Sequence, residues 1–442
     1  MSLMGSTENN VRRGWYHGWN IVAVCVLAQT AANGLPINAF SLFLHDWSVE
    51  LNAPISSLQL SLAALGLAAA ILSPIVGPLA DKYPARWLMG GGVLGIALFH
   101  VGVSFVTARW QLLTLFMLLL PIALTFSTTL VSNASVSRWF MRRLGLALGL
   151  SAFGLGAAGV ILPPIVATLT PELGWRMVWR GAGLLIALVV LPLVLFVMRD
   201  RPSACDGFRY VTSTADGAST AKHGHHGLAE QGGHGATGGA DSLGWRDILA
   251  SRNFRLLLVV YLPMLALHGA CLHNLAPLAT SRSLDQQTAG VLLSAFSLSH
   301  VTSTLVVGML SDRFGNCLPL VGLALATAAG GTIVAFAHTA AALFIGVLMV
   351  GLSGGMWPLL AAAVATEFGA NHVGRSFGLL IMFLPVIGLM PSAIARIQER
   401  TGSYVPGLSA LAVLTFVGGV ACLFMRERRR ETPVITAQAE PA

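Results

Sequence analysis

Histidines, amides and hydroxyls stand at a few places inside stretches that are otherwise almost purely apolar, and these side chains are the ones that could do chemistry. Gln29 and Asn33 share a helical face at i, i+4 spacing, and Asn38 follows beyond Pro36. Thr125, Ser127, Thr128 and Thr129 cluster further on; His268, His273 and Asn274 come much later, then His300, then Ser353 with Trp357. A polar group in apolar surroundings is costly unless it meets water or a partner, so each is a site candidate. Amides and hydroxyls offer neutral hydrogen bonds, whereas an imidazole also takes up and releases a proton near neutral pH. His300 is therefore the first candidate for a titrating ligand. His268 and His273 are five positions apart, about 140° around a helix, so they do not face one cavity together; His273 with adjacent Asn274 is favoured. Plainer readings stand beside these. A lone histidine is often a hydrogen-bonded packing residue, Ser and Thr clusters also serve as glue between helices, and Trp357 can stack on a solute or simply fill space. His100 reads as structural. No Asp, Glu, Lys or Arg lies in the middle third of any apolar stretch, so no fixed charge accompanies these groups.

The elements that must position them are long and apolar. Of 442 residues, 55% are hydrophobic and 10% charged, against roughly a quarter charged in a soluble domain. Segments at 19–44, 56–80, 87–106, 110–135, 144–169, 176–198, 254–279, 288–310, 317–337, 341–366, 375–398 and 405–425 are each near the length that crosses a ~30 Å hydrocarbon layer as a helix. The reading is an all-α membrane protein of twelve transmembrane helices, with the lipid bilayer as its solvent. The net charge of +8 is spread over segment ends rather than gathered on one face, which excludes a nucleic-acid role. Cys25, Cys205, Cys271, Cys317 and Cys422 form no CxxC pair and read as small packing residues, not a metal site. The polar stretch from Met1 to Trp15 is followed by no short cleavable leader, so the first segment is expected to stay as an anchor.

Charge at the segment ends sets an orientation. Lys82, Arg86, Arg138, Arg142, Arg143, Arg199, Arg201, Arg313 and Arg375 follow even-numbered segments, whereas His45, Asp46, Glu50, Glu172 and Asp285 follow odd ones, with a few arginines such as Arg109 and Arg282. The positive-inside rule places the even loops, and with them both termini, in the cytoplasm. Residues 200–250 are read as a flexible cytoplasmic linker rich in Gly, Ala, Ser, Thr and His; it divides a bundle at 1–199 from a second at 251–428, and a tail covers 429–442. Its histidines (His223, His225, His226, His234) could hold a metal, but the glycines around them orient nothing, so no metal and no cofactor is expected.

The halves repeat. Gly77-Pro-Leu-Ala-Asp81-Lys82-Tyr83-Pro84-Ala85-Arg86 follows the second segment and Gly308-Met-Leu-Ser-Asp312-Arg313-Phe314-Gly315 the eighth, placing Asp81 and Asp312 231 positions apart. Phe140 before Gly149 and Phe368 before Gly378 form a second pair. The pattern G-x-x-x-D-R/K-x-G-R/K-R/K in both places resembles the signature loop of the major facilitator superfamily, and the resemblance covers the chain apart from linker and tails. It implies two pseudo-symmetric six-helix bundles and a cytoplasmic latch of Asp81, Lys82, Arg86, Asp312 and Arg313. The first copy departs from the pattern at Pro84 and Ala85, the second at Asn316 and Cys317. The plainer reading is that these charges only anchor loops.

Tyr16-His17-Gly18-Trp19, the run from Ser137-Arg138-Trp139-Phe140 to Gly149, Gly174-Trp175-Arg176 and Thr401-Gly402-Ser403-Tyr404 are similar to the bacterial monocarboxylate and oxalate–formate group. That resemblance implies a small organic anion, an aromatic acid being one option, moved with a proton or exchanged for a counter-anion. The family's transport arginine falls on Thr304 and its acidic partner on His300, so neither is kept. An anion would have to meet a protonated histidine, neutral donors or helix ends. The expected function is a secondary active transporter of the inner membrane working by alternating access, as a monomer; the expected ligands are Gln29, Asn33, Asn38, Thr125, Thr128, His273, Asn274, His300 and Trp357, with His300 and His273 coupling the proton. An efflux carrier for a neutral or amphipathic compound is the rival. An enzyme is not expected, for lack of paired carboxylates, HExxH or a nucleophile beside a base; a sensor would need a larger soluble domain than the linker provides.

Overall fold

The computed structural model describes residues 16–140, 144–199, 245–368, 379–380 and 382–424; the side chains of 73–82, 129–130, 134, 144–145, 245, 312, 361, 365–366 and 368 lie outside that description. In chain order, α1 runs Gly18–Asn33, passes through a π turn Gly34–Asn38 and continues as Phe40–Glu50; α2 is Ile55–Lys82 and α3 Ala85–Val103. Next, α4 is built from Arg109–Thr114, a π turn Leu115–Leu119, Leu120–Ser127 and Thr129–Trp139, α5 is Leu144–Leu173, and α6 joins Trp175–Leu185, a π turn Ile186–Val190 and Leu191–Val197. The second bundle has α7 (Arg252–Ser281), α8 (Gln286–Phe314), α9 (Cys317–Phe336), α10 (Ala340–Gly351, a 3-10 turn Leu352–Gly355, then Met356–Phe368), α11 (Leu384–Gly388 and Met390–Thr401) and α12 (Val405–Cys422). Among the described residues eleven helices are long and apolar enough to cross a membrane. The expected segment 375–398 lies partly outside the described residues; its remainder is α11, interrupted where Pro385 and Pro391 remove amide donors.

The irregularities have causes in the sequence. Two π turns end just before Leu120-Pro121 and Leu191-Pro192, and the third contains Pro36; a ring without an N–H cannot complete the regular ladder, and a wider turn absorbs the gap. The first helix extends to Glu50, past the expected end at 44, because nothing between Ala39 and Glu50 breaks it. In the stretch read as linker, Trp245–Ala250 is a short helix. Its Ile248 is buried with Phe254, Leu257 and Tyr261, so an apolar anchor draws these six residues onto the second bundle.

Outward faces carry residues such as Leu188, Phe196, Leu305 and Phe416 in exposed positions, as a lipid solvent requires. The ends of the bundles are tied by pins. On the face of the even loops, the Tyr16 hydroxyl donates to the Trp139 carbonyl, Trp139 Nε1 donates to the Arg199 carbonyl at 2.8 Å, and the Tyr16 and Trp19 rings meet Phe140 edge-on at 5.4 and 4.9 Å. His17 Nε2 donates to the Val197 carbonyl at 2.9 Å. On the face of the odd loops, Arg176 donates to Glu50 Oε1 at 2.6 and 3.0 Å and to the carbonyls of Ser104 and Val106, while Trp175 Nε1 donates to Glu50 Oε2 at 2.6 Å. Partial burial alone would raise the Glu50 carboxyl; the hydrogen bonds from Arg176 and Trp175 and the arginine's charge outweigh it and hold the group below its ordinary value. At the start of α8, Asp285 Oδ1 accepts from Thr288 N at 3.1 Å, and this cap keeps its carboxyl below the ordinary value too.

The repeated loop is realised in two ways. Gly315 ends α8 at φ +79°, a left-handed value that favours glycine. Pro84 takes the matching place before α3 with φ −59° and ψ 130°, so the first copy turns without needing glycine.

Candidate functional site

The amides of α1 serve the protein's own frame. Gln29 is buried and its Nε2 donates to Ser151 O at 2.9 Å and Ser151 Oγ at 3.1 Å, joining α1 to α5. Asn33 donates back to the Gln29 carbonyl at 2.9 Å and Asn38 to the Asn33 carbonyl at 2.9 Å, across the π turn at Pro36. Asn38 stays partly exposed. It sits where α1, α5 and α8 meet: a Cβ on Gly159 would lie 2.3 Å from Ser297 Oγ and 2.8 Å from Asn38 Oδ1.

In α4 the hydroxyls bend the helix. Thr125, Ser127 and Thr128 donate to the carbonyls of Pro121, Ala123 and Leu124, each four residues back, and the helix is interrupted at Thr128, whose ψ is −139°. Hydroxyl bonds to the previous turn compete with the backbone ladder in this way. Thr129 is in the helix that follows, its side chain outside the described residues.

The second bundle holds the titratable groups. His273, partly exposed, has its ring 6.0 Å from Phe40, edge to face, and its Nδ1 finds no partner among the described residues. Its neighbour Asn274 is buried: Oδ1 accepts from Gln59 Nε2 at 3.0 Å and Nδ2 donates to the carbonyls of Ala270 and Pro391. Gln59 Nε2 also donates to the His273 carbonyl at 3.0 Å. His300 occupies the middle of α8 with its ring 5.1 Å from that of His268, and His268 Nδ1 meets Ser353 Oγ at 2.7 Å. Trp357 of α10, partly exposed, lines an apolar cavity between α7, α10 and α11 with Tyr261, Leu265, Leu380 and Leu384. His100 is buried and bonds the Ile96 carbonyl through Nδ1.

Of the expected latch, the side chains of Asp81, Lys82 and Asp312 lie outside the described residues. Arg86 lies over Trp87 at 5.6 Å and Arg313 over Phe314 at 5.4 Å. Among the described residues no three His, Cys, Asp or Glu gather as metal ligands. The Cys317 and Cys422 sulfurs are 3.8 Å apart, within hydrogen-bond reach of each other and not joined as a disulfide, and Cys317 Sγ also donates to the Cys422 carbonyl at 3.2 Å.

Among the described residues, the hydrogen bonds between the two bundles gather on one side. Cross-bundle hydrogen bonds with both partners described all lie in the odd-loop half: Ser56 N and Oγ to the Glu399 carboxylate at 2.9 and 2.7 Å, Ser392 Oγ to the Ser56 carbonyl at 2.7 Å, Gln59 to His273 and Asn274, Gln286 to Leu42, and Ser294 to Val160. The apolar core follows the same division. One cluster runs from the first bundle into the odd-loop half of the second, whereas the even-loop half of the second bundle has its own cluster around Phe254, Leu320 and Leu359.

A model of the Major Facilitator Superfamily matches residues 26–281 and 266–442. The chain belongs to the Major Facilitator Superfamily. Among members of this superfamily, monocarboxylate transporter 13 of Bos taurus is 31% identical over 185 residues, covering 41% of each chain. The chain thus spans about two fifths of the length of that relative. An uncharacterized transporter of the superfamily, YhjX from Escherichia coli K12, is 23% identical over 387 residues, covering 82% of this chain and 84% of its own. In shape, the chain is similar to a bacterial homologue of the human lysosomal transporter Spinster in an inward-facing, occupied conformation, with TM-score 0.66, 12% identity, and coverage of 92% of this chain and 95% of that one. The fold is therefore the major facilitator arrangement of two six-helix bundles, as the loop repeat implied, and the chain is a multi-pass membrane protein.

Sequence reasoning missed His268 as a partner of His300, and missed Ser56, Gln59, Ser392 and Glu399 at the seam between bundles. Gln59 carried a signal, an amide within an apolar segment; Glu399, beyond the end of its expected helix, carried none.

Proposed function

We propose that the chain is a secondary carrier that moves a small organic anion, a monocarboxylate with an aromatic acid as one option, across the inner membrane by alternating access, coupled to a proton and working as a monomer. The observation that carries this reading is the seam: among the described residues, the hydrogen bonds that join the bundles lie in the odd-loop half, as in a carrier closed on one side. The arginines at the even-loop ends favour a cytoplasmic even-loop face with both termini on it, and that orientation supports reading this form as closed to the outside. Asp81, Lys82, Arg86, Asp312 and Arg313 form the latch that replaces this seam when the carrier opens outward. The substrate class follows from relatives named monocarboxylate transporters, whose matched stretches cover part of their length. Among the candidate ligands, Asn38, His273, His300 and Trp357 keep accessible surface and are the first contacts for the solute. Gln29, Asn33 and Asn274 are buried in their own bonds, and the Thr125 and Thr128 hydroxyls are engaged within α4.

With no fixed cation in the helix interiors, a carboxylate gains its counter-charge from a protonated imidazole. Proteoliposomes should take up labelled benzoate or lactate when the pH gradient is acid on the outer side, and His300→Ala should abolish the gradient-driven component. Uptake indifferent to the gradient would overturn the coupling.

A further inference from the structure

We infer that His268 and His300 form one proton-holding site whose hydrogen polarity is set by Ser353. The inference rests on the reading of a proton-coupled anion carrier and deepens it, since His268 was no part of the expected ligand set.

Ser353 fixes the tautomer. Its hydroxyl donates its single hydrogen to the Val350 carbonyl at 2.6 Å, so towards His268 Nδ1, 2.7 Å away, it accepts. The hydrogen of neutral His268 is therefore on Nδ1, and Nε2 keeps its lone pair for a second proton. The 3-10 turn Leu352–Gly355 presents Ser353, and Gly354 lets α10 come close: a Cβ there would lie 2.4 Å from the His300 carbonyl oxygen and 2.6 Å from its ring. Phe296 covers His268 at 4.9 Å. Both histidines remain partly accessible.

Among the described residues, the titratable groups that reach His268 are His300 from α8 and His273 from α7 itself; α10 brings only Ser353, and no carboxylate, lysine or arginine enters. Two imidazolium rings with centroids 5.1 Å apart in an apolar setting repel strongly, so the pair accepts one proton and holds it jointly. The empty pair is neutral; with a proton from water on one side it carries a single positive charge, which one carboxylate neutralises, and the proton returns to water on the other side. Proton must then precede anion.

The test is nuclear magnetic resonance of the full chain, labelled with 15N-histidine, in lipid nanodiscs, with signals assigned through single His→Gln variants. Wild type should show His268 as the Nδ1–H tautomer and one proton taken up by the two rings together; Ser353→Ala should give mixed tautomers at His268, and His268→Gln should leave His300 titrating alone with a full proton. Two complete and independent titrations in wild type, or His268 as the Nε2–H form, would overturn the site. Benzoate uptake separates the two levels. A wild-type pH profile in an active His268→Gln carrier counts against the site, whereas absent carboxylate uptake beside a shared proton supports the site and defeats the carrier reading.

Discussion

Polar side chains in lipid-spanning helices answer first to their own backbone, and the ligands suggested by residue type must be separated from those already employed. Gln29 is employed: its amide holds Ser151 twice. Gln29→Ala should cost about 1–3 kcal/mol, the range for breaking a buried hydrogen bond, lowering the unfolding temperature in detergent while substrate competition profiles stay unchanged. Glu50 gives a second case with a pH signature. Its folded carboxyl titrates below the unfolded one, so the stabilisation is full above the unfolded value of about 4.3 and is lost as pH falls through the lower, folded value. Its side chain is 44% exposed and that of Arg176 32%, so solvent screening limits the gain to about 0–1 kcal/mol. Glu50→Gln should lower the thermal midpoint slightly at neutral pH, and wild type and variant should converge in acid.

Helices bring distant residues together in ways that a linear pattern half reveals. The segments, their order and the repeat of the Asp81 and Asp312 loops were legible, because apolar length and loop charge are local properties. The branch-like motifs were legible too, but their job was not: Tyr16 and His17 pin α1 to the ends of α4 and α6, and Trp175-Arg176 pins α6 to Glu50, so they record how bundle ends are tied rather than what is carried. The partner Glu50 fell where a loop was expected. His268 was set aside by its angle to His273 on one helix, yet its partners come from α8 and α10, which no single-helix wheel displays. Close helix contacts are equally hidden until a glycine is seen against its neighbour. A Cβ on Gly154 would lie 2.5 Å from the Val26 carbonyl oxygen and 2.9 Å from its Cα, backbone that cannot swing aside. Gly154→Ala should therefore push α5 from α1 at a cost of about 1–3 kcal/mol, read as a lower melting temperature; an unchanged melt would mean that the two helices separate freely.

At the scale of the molecule, a carrier of the kind proposed must hold its bundles together on one side firmly enough to close and weakly enough to part. The hydrogen bonds that cross the seam beside its apolar cluster are suited to that because water can replace them. The seam's outermost part is a helix cap supplied in trans. Ser56 is in the first turn of α2, where amide hydrogens have no partner within the helix, and the Glu399 carboxylate of α11 receives Ser56 N at 2.9 Å and Oγ at 2.7 Å with its charge at the positive end of the helix dipole. Glu399→Gln keeps one acceptor oxygen, loses the other and removes the charge. Because Glu399 is exposed, the loss is about 1 kcal/mol, a roughly five-fold change in the balance between closed and open seams. Spin labels on the exposed positions Glu172 and Arg400, one in each bundle, report that balance through their distance distribution. The variant should enlarge the long-distance population about five-fold, and raising salt should move wild type in the same direction by screening the carboxylate from the helix end. A distribution unaltered by both changes would assign the closure to the deeper contacts of Gln59 and Asn274, which carry no net charge and are indifferent to salt.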